Sequence, residues 1–320
     1  MNPTSRRTFL TTAAALPFAS NLLAAPKTQP LLPRIFVSAH RGGAGFPDNT
    51  PELIESSVKL GVSAAELDVT VSTDNRLFLF HPYHWSPDKP GEIVDIGPTW
   101  TKKDLDKWGR ITLRGLPWSK VKEVRYSVRV GDKVFADQRI HLAEEVFGPF
   151  KGKINFHIDP EGLMEPFYEA FDRHQNHSQI LMQFGAYRYL ANFRARQPKM
   201  IAQCKAPGVS YYPDGKLDTA GQMKALRQAI KESKAIGANM LVMQDITAEK
   251  LELCHRAKLA AVPRASFVNV TGGDAFLKEG IDALFGDAPK KMLKSIEAIL
   301  GAKYLPQRGE SVADLFSVTT

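Results

Sequence analysis

From residue 34 onward the chain repeats one unit: a short apolar run, a loop, then a stretch with helical spacing. The apolar runs fall at 35–37, 154–158, 180–184, 200–203, 240–243, 260–262 and 283–285, and residues 66–71 alternate polar and apolar as a further strand. Helical stretches fall near 163–174, 187–196, 218–235, 247–258, 273–279 and 289–299. An earlier helix begins at Thr50, a capping residue, with Pro51 at the first helical position, and stops at Gly61. Strands that alternate with helices must run parallel, because each helix carries the chain back across the sheet. Eight such units are the number that closes into a TIM-type (β/α)8 barrel, and the expected fold class is therefore α/β. An open doubly wound sheet is the competing arrangement.

Two regions stand outside the rhythm. Residues 1–25 have a basic start (Arg6, Arg7), an uncharged Ala-rich middle and small residues at Ala24 and Ala25. That is the order of an export signal. The paired arginines in Ser-Arg-Arg-Thr-Phe-Leu resemble the twin-arginine motif, which implies a periplasmic or secreted protein. Residues 26–320 then form one barrel domain. Residues 82–139, rich in Trp, Pro and Lys, read as an insertion after the second barrel strand, with a hairpin at 128–135 turning at Gly131 and Asp132.

Composition narrows the function. There are 42 basic and 34 acidic residues, a net charge of +8, and the basic residues are spread along the chain. No arm or patch suited to nucleic acid is expected, whereas a small anionic substrate is suited to such a field. No apolar run reaches the ~20 residues of a membrane helix, so no integral membrane association is expected. Two cysteines, Cys204 and Cys254, could pair in the oxidising compartment that export implies, but separate buried thiols are the preferred reading.

A barrel keeps its active site at the C-terminal ends of its strands. Polar clusters fall there: His40-Arg41-Gly42-Gly43, then Glu66-Leu67-Asp68, then His81 after a turn. Glu66 and Asp68 are two apart on a strand and project from one face. Two carboxylates facing a lumen repel and lose water, so they need protons or a cation. A hard divalent ion, Mg2+ or Ca2+, suits oxygen ligands. A four-residue loop at 72–75 would pair Val71 with Arg76 and set His81 opposite Glu66. His40 and His81 titrate near neutrality and can divide base and acid work, while the Arg41 fork can hold a phosphate oxygen. His84 is the alternative to His81.

These residues resemble the glycerophosphodiester phosphodiesterase family. Its pattern of His-Arg-Gly, Glu-Asn-Thr, Glu-Leu-Asp and Phe-His-Asp is similar to His40-Arg41-Gly42, Asp48-Asn49-Thr50, Glu66-Leu67-Asp68 and Phe80-His81-Pro82. The segments 139–146, 184–198 and 280–289 also resemble it. The resemblance implies a metal-dependent barrel enzyme that hydrolyses glycerophosphodiesters to glycerol 3-phosphate and an alcohol. It implies His40 and His81 as general base and acid, Arg41 as a phosphate contact, and Glu66, Asp68 and a third carboxylate as ligands of a divalent cation.

The third carboxylate is ambiguous. Where the family has Asn-Ile-Glu-Ile-Lys, this chain has Asn155-Phe156-His157-Ile158-Asp159-Pro160-Glu161. Either Asp159 is the ligand and Glu161 replaces the lysine, or His157 is the ligand and Asp159 replaces it. Asp159 is preferred, because it keeps oxygen for a hard ion; imidazole would favour zinc or another transition metal. Both alignments lose the family lysine and its phosphate contact. Pro82 for Asp, and no clear Trp at 264–267, are further departures. A non-catalytic phosphodiester-binding barrel, or a phosphodiesterase forming a cyclic phosphate from lipid headgroups, are the other readings.

Overall fold

The computed structural model describes residues 25–81, 84–85, 111–161, 164–185, 187–206, 209, 219–264, 268 and 273–319. Most of the expected export signal, residues 1–24, lies outside them, as do Pro82, residues 265–267 and the side chains of His84 and Glu161.

Among the described residues, eight parallel strands follow one another around a lumen: β1 (Phe36–Ala39), β2 (Ala64–Val71), β3 (Asn155–Glu161), β4 (Ile180–Phe184), β5 (Ile201–Lys205), β6 (Met240–Met243), β7 (Ala260–Pro263) and β8 (Ala283–Gly286). Hydrogen-bonded neighbours run β7-β6-β5-β4-β3-β2-β1-β8. The remaining seam, between β7 and β8, is bridged by a side chain. Asp282, fully buried, accepts from the Ala261 backbone N–H at 2.8 Å and lies 2.8 Å from His255 Nε2. Its other oxygen accepts from the Leu31 and Leu32 N–H groups at 2.5 and 3.3 Å, which pins the segment leading into the barrel. The result is the TIM-type barrel that the alternation implies.

Helices surround it: α1 (Pro51–Leu60), α2 (Glu144–Phe147), α3 (Glu165–His174), α4 (Tyr187–Arg196), α5 (Thr219–Ala235), α6 (Ala248–Arg256), α7 (Asp274–Glu279) and α8 (Pro289–Leu300). α1 starts and stops as its sequence dictates. The Thr50 side chain accepts from the Leu53 N–H, and Gly61 ends the helix in the left-handed region at φ 77°.

Between β2 and α2 the chain makes its excursion. Strand Leu77–Leu79 folds back antiparallel on β2 and pairs with His141–Leu142. Strands Arg125–Val130 and Lys133–Arg139 form the expected hairpin around Gly131 and Asp132. The excursion has a small core of its own, including Phe78, Phe80, Leu113, Val121, Val124 and Ile140.

One expectation fails here. Val71 pairs with Leu77, not with Arg76. Ser72 and Arg76 close the hairpin: the Ser72 N–H donates to the Arg76 carbonyl at 3.0 Å, and the Arg76 N–H donates to Ser72 Oγ at 2.9 Å. Three residues remain in the loop, the last being Asn75 in the left-handed region at φ 62°. This is the usual three-residue hairpin, which Asn tolerates. The shift of one residue takes His81 off the position opposite Glu66.

Two cores divide along the strands. Residues such as Leu67, Val69, Phe156, Ile158 and Cys204 face outward to the helices. Inside the lumen, the lower half holds Phe36, Leu181, Ile201, Met240 and Ala283, plugged from below by Leu32, Val312, Leu315 and Phe316. Phe36 and Phe316 meet edge to face with centroids 5.8 Å apart. Cys204 and Cys254 are buried and not joined, and burial pushes both thiols up to about 12. The upper lumen is therefore the polar half. Replacing Asp282 by Ala strands several donors at the seam and should cost about 3–5 kcal/mol of unfolding free energy in a urea titration. A loss below about 1 kcal/mol would show that the seam does not depend on it.

Candidate active site

β1 ends in a tight turn over His40, Arg41 and Gly42. Arg41 is left-handed at φ 50°, and Gly42 follows at φ 95°. A Cβ on Gly42 would lie 3.1 Å from Leu53 Cγ, so the turn needs glycine where it packs on α1. The turn aims the Arg41 N–H at Glu66 Oε2, 2.7 Å away. The Arg41 guanidinium fans out at the strand ends. Nη1 donates to Asp48 Oδ2 at 3.1 Å, Nε lies 3.5 Å from Asp68 Oδ2, and Nη2 lies 3.4 Å from His81 Nε2. Burial works against its charge, but Asp68, Asp48 and Glu66 together hold the guanidinium above its usual value.

Asn49 locks Asp68 from the same loop. It sits at φ 59°, donates Nδ2 to Asp68 Oδ2 at 3.1 Å, and accepts the Asp68 N–H at 3.0 Å. The neighbouring strand supplies a third acid. β2 and β3 run in register with Asp68 beside Asp159 and Glu66 beside His157. Glu66, Asp68 and Asp159 each bring one oxygen to within 4.8 Å of the others. His157 lies outside that group. Its Nδ1 is 2.9 Å from Ser38 Oγ and its ring packs on Phe285 at 5.1 Å. Asp159 Oδ2 accepts from Gln183 Nε2 at 2.6 Å and from Lys205 Nζ at 3.0 Å.

Burial, then repulsion from Asp68 and Asp159, raises the Glu66 carboxyl well above the ordinary range. Burial also raises Asp68, against the pull of His81, Asn49 and Arg41. Such a cluster is relieved by a cation. Oxygen ligands bind Mg2+ and Ca2+ at roughly 2.0–2.6 Å, so two ligands of one ion lie up to about 4–5 Å apart. The 4.8 Å envelope and the all-oxygen donor set fit such an ion.

The histidines stand beside this group. His40 Nδ1 is 2.5 Å from Asp287 Oδ1, and its ring meets Phe285 edge-on at 5.0 Å. The second, His81, follows Phe80, whose N–H makes a last bond to the Asp68 carbonyl at 3.1 Å, and it reaches Arg41 despite the shifted register. Burial lowers its pKa, with Arg41 and His40 adding to the effect and Asp68 opposing it. A pocket of about 450 Å³ opens beside Arg41, Asp48, Phe80 and His81, and its far wall is the insertion hairpin from Tyr126 to Gly131.

The structure thus gathers His40, Arg41, Glu66, Asp68, His81 and Asp159 at one end of the barrel. Sequence reasoning gave no role to Asn49, Gln183, Lys205 or Asp287. Asn49 and Asp287 lie within segments already matched to a motif. Lys205 was missed because the apolar run at 200–203 stops two residues short of the end of β5.

The sequence profile of the Glycerophosphoryl diester phosphodiesterase family matches residues 40–258. No curated protein matches the chain by sequence. Known structures share its fold at low identity. A Silicibacter pomeroyi protein is 16% identical, with TM-score 0.68 over 84% of this chain and 96% of its own. A glycerophosphoryl diester phosphodiesterase from Parabacteroides distasonis is 16% identical, with TM-score 0.63 over 92% and 93%. An Oleispira antarctica phosphodiesterase, in complex with the product sn-glycerol-3-phosphate, is 18% identical, with TM-score 0.59 over 83% and 97%.

His157 gives this site a pH signature. Burial first, then Lys205 and His40, depress its pKa from 6.5 to about 3. Between those values the unfolded chain binds a proton that the folded chain refuses. This contribution therefore destabilises the fold increasingly as pH falls from about 6.5 toward 3, by up to about 1.4 kcal/mol per pH unit. His157→Gln, which cannot titrate, should flatten that slope when urea unfolding is measured from pH 6 to 4. Equal slopes in both proteins would contradict the assignment.

Proposed function

Because the chain belongs to the glycerophosphoryl diester phosphodiesterase family, we propose that it hydrolyses glycerophosphodiesters to glycerol 3-phosphate and an alcohol, using a divalent cation. The observation that carries this reading is the convergence of Glu66, Asp68 and Asp159 beside Arg41 and two histidines. Those three carboxylates would hold the ion. When bound, Mg2+ or Ca2+ supplies Lewis-acid polarisation of a phosphoryl oxygen and offsets developing negative charge. The product held by the Oleispira antarctica relative supports glycerol 3-phosphate as the phosphate-bearing half.

The remaining steps belong to the protein's own groups. Arg41 binds a phosphate oxygen through its planar fork, steadied by Asp48 and Asp68. Asp287 fixes the His40 tautomer by accepting a hydrogen bond from Nδ1–H, which keeps the proton on Nδ1 and leaves Nε2 as a base for the nucleophile. That nucleophile is water or the neighbouring glycerol hydroxyl. His81 is the proton donor to the leaving alkoxide: an arriving phosphodiester anion favours its protonated form. Tyr126 of the insertion hairpin lines the same pocket as Arg41 and His81, which leaves room there for a substrate. The paired arginines Arg6 and Arg7 and the Ala-rich stretch after them support export as a further part of the proposal, with residues 1–25 as the signal.

With glycerophosphocholine as substrate, His40→Ala and His81→Ala should each lower kcat by at least about 100-fold with unchanged circular dichroism. Either variant keeping more than half the wild-type rate would contradict these roles. In chelator, Asp68→Asn should melt higher than wild type, because it removes one repelling charge. Added Ca2+ should raise the wild-type Tm and leave that of the variant unmoved. An equal rise in both would place the ion elsewhere.

A further inference from the structure

The strand order sets out the charges of the upper lumen in a row. Arg41 follows β1, Glu66 and Asp68 lie on β2, Asp159 on β3, Gln183 on β4 and Lys205 on β5. The acids are flanked by a cation on each side. β3 continues from Asp159 into Pro160 and Glu161, so that strand offers no basic residue at its end. On β5, Ile201 belongs to the lumen core and Ala202 and Cys204 to the outer core. The alternation therefore turns Gln203 and Lys205 inward.

We propose that Lys205 is a phosphate-binding residue of this site, supplying from β5 the cation that β3 lacks. The proposal rests on the reading above. The Asp159 carboxylate does not need the lysine to hold its position. Gln183 Nε2 donates to it at 2.6 Å, and Gln183 is itself held by Gln203 at 2.5 Å. The Lys205 and Asp159 side chains are 33% and 30% exposed, so an incoming anion can reach the ammonium. An ion pair that open contributes little to stability. Its placement is better explained by a ligand that arrives than by the fold. Because Lys205 and a divalent ion draw on the same carboxylate, they repel each other, and the lysine is drawn toward a phosphate that bears negative charge.

The test compares wild type, Lys205→Met and Lys205→Arg as full chains with matched circular dichroism. Glycerol 3-phosphate binding in saturating Mn2+, Mn2+ binding alone by calorimetry, and KM and kcat are measured. Lys205→Met should weaken glycerol 3-phosphate and raise KM by about tenfold or more, as expected for one lost charged hydrogen bond. Mn2+ should bind it as tightly as wild type or more tightly. Lys205→Arg should stay within about threefold of wild type, since the charge is kept. Unchanged glycerol 3-phosphate affinity and KM in Lys205→Met would overturn the proposal. So would weakened Mn2+ binding with unchanged KM, which would make Lys205 a positioning residue for Asp159. Wild-type protein that neither binds Mn2+ nor hydrolyses the diester would instead remove the reading on which the proposal stands.

Discussion

Three carboxyl groups, Glu66 and Asp68 buried and Asp159 partly exposed, share one corner of the barrel, and much of the upper lumen is built around that electrostatic problem. Glu66 and Asp68 are fixed two apart on one strand, and the register of the next strand brings Asp159 alongside. Their mutual repulsion and lost hydration are partly answered by the protein. The Arg41 N–H, the Asn49 amide, Gln183 and Lys205 each meet one of the acids. None of these is a full counter-charge at the centre of the three. A divalent ion is, and the donor set is of the kind that hard cations prefer.

The rest of the barrel makes that concentration of charge affordable. The lower lumen is filled by apolar side chains and closed from beneath by Leu32, Val312, Leu315 and Phe316. Asp282 ties the β7–β8 seam to the entering segment with side-chain acceptors rather than ladder bonds. Between the two halves, His157 and Phe285 form the floor of the site, with Ser38 as the histidine's polar partner. The left-handed turn at Arg41 is then a matter of direction. It turns a backbone N–H toward Glu66 while carrying the guanidinium across to Asp68 and His81.

Local periodicity carried the architecture well. Alternating apolar runs marked the eight strands, and Thr50, Pro51 and Gly61 marked a helix with its ends, because these signals act over a few residues. The pairing of Glu66 with Asp68 was legible for the same reason. Cross-strand facts were harder. The hairpin register turned on whether Ser72 belonged to the loop or closed it, which side-chain bonding from Ser72 to Arg76 decides. Whether Asp159 or His157 met the acids depended on how β3 slides against β2. Lys205 was invisible, because its role comes from a neighbour two strands away rather than from any pattern in its own segment. Asp287 lies in the 280–289 segment that resembles the family, but only the fold brings it to His40.

The central claim is that one divalent cation is shared by Glu66, Asp68 and Asp159. Anomalous diffraction from crystals of the protein grown with Mn2+ tests it directly. A single strong peak bonded to one oxygen of each residue is the expected result. A peak held by His157, or no peak at the ends of β2 and β3, would contradict the account.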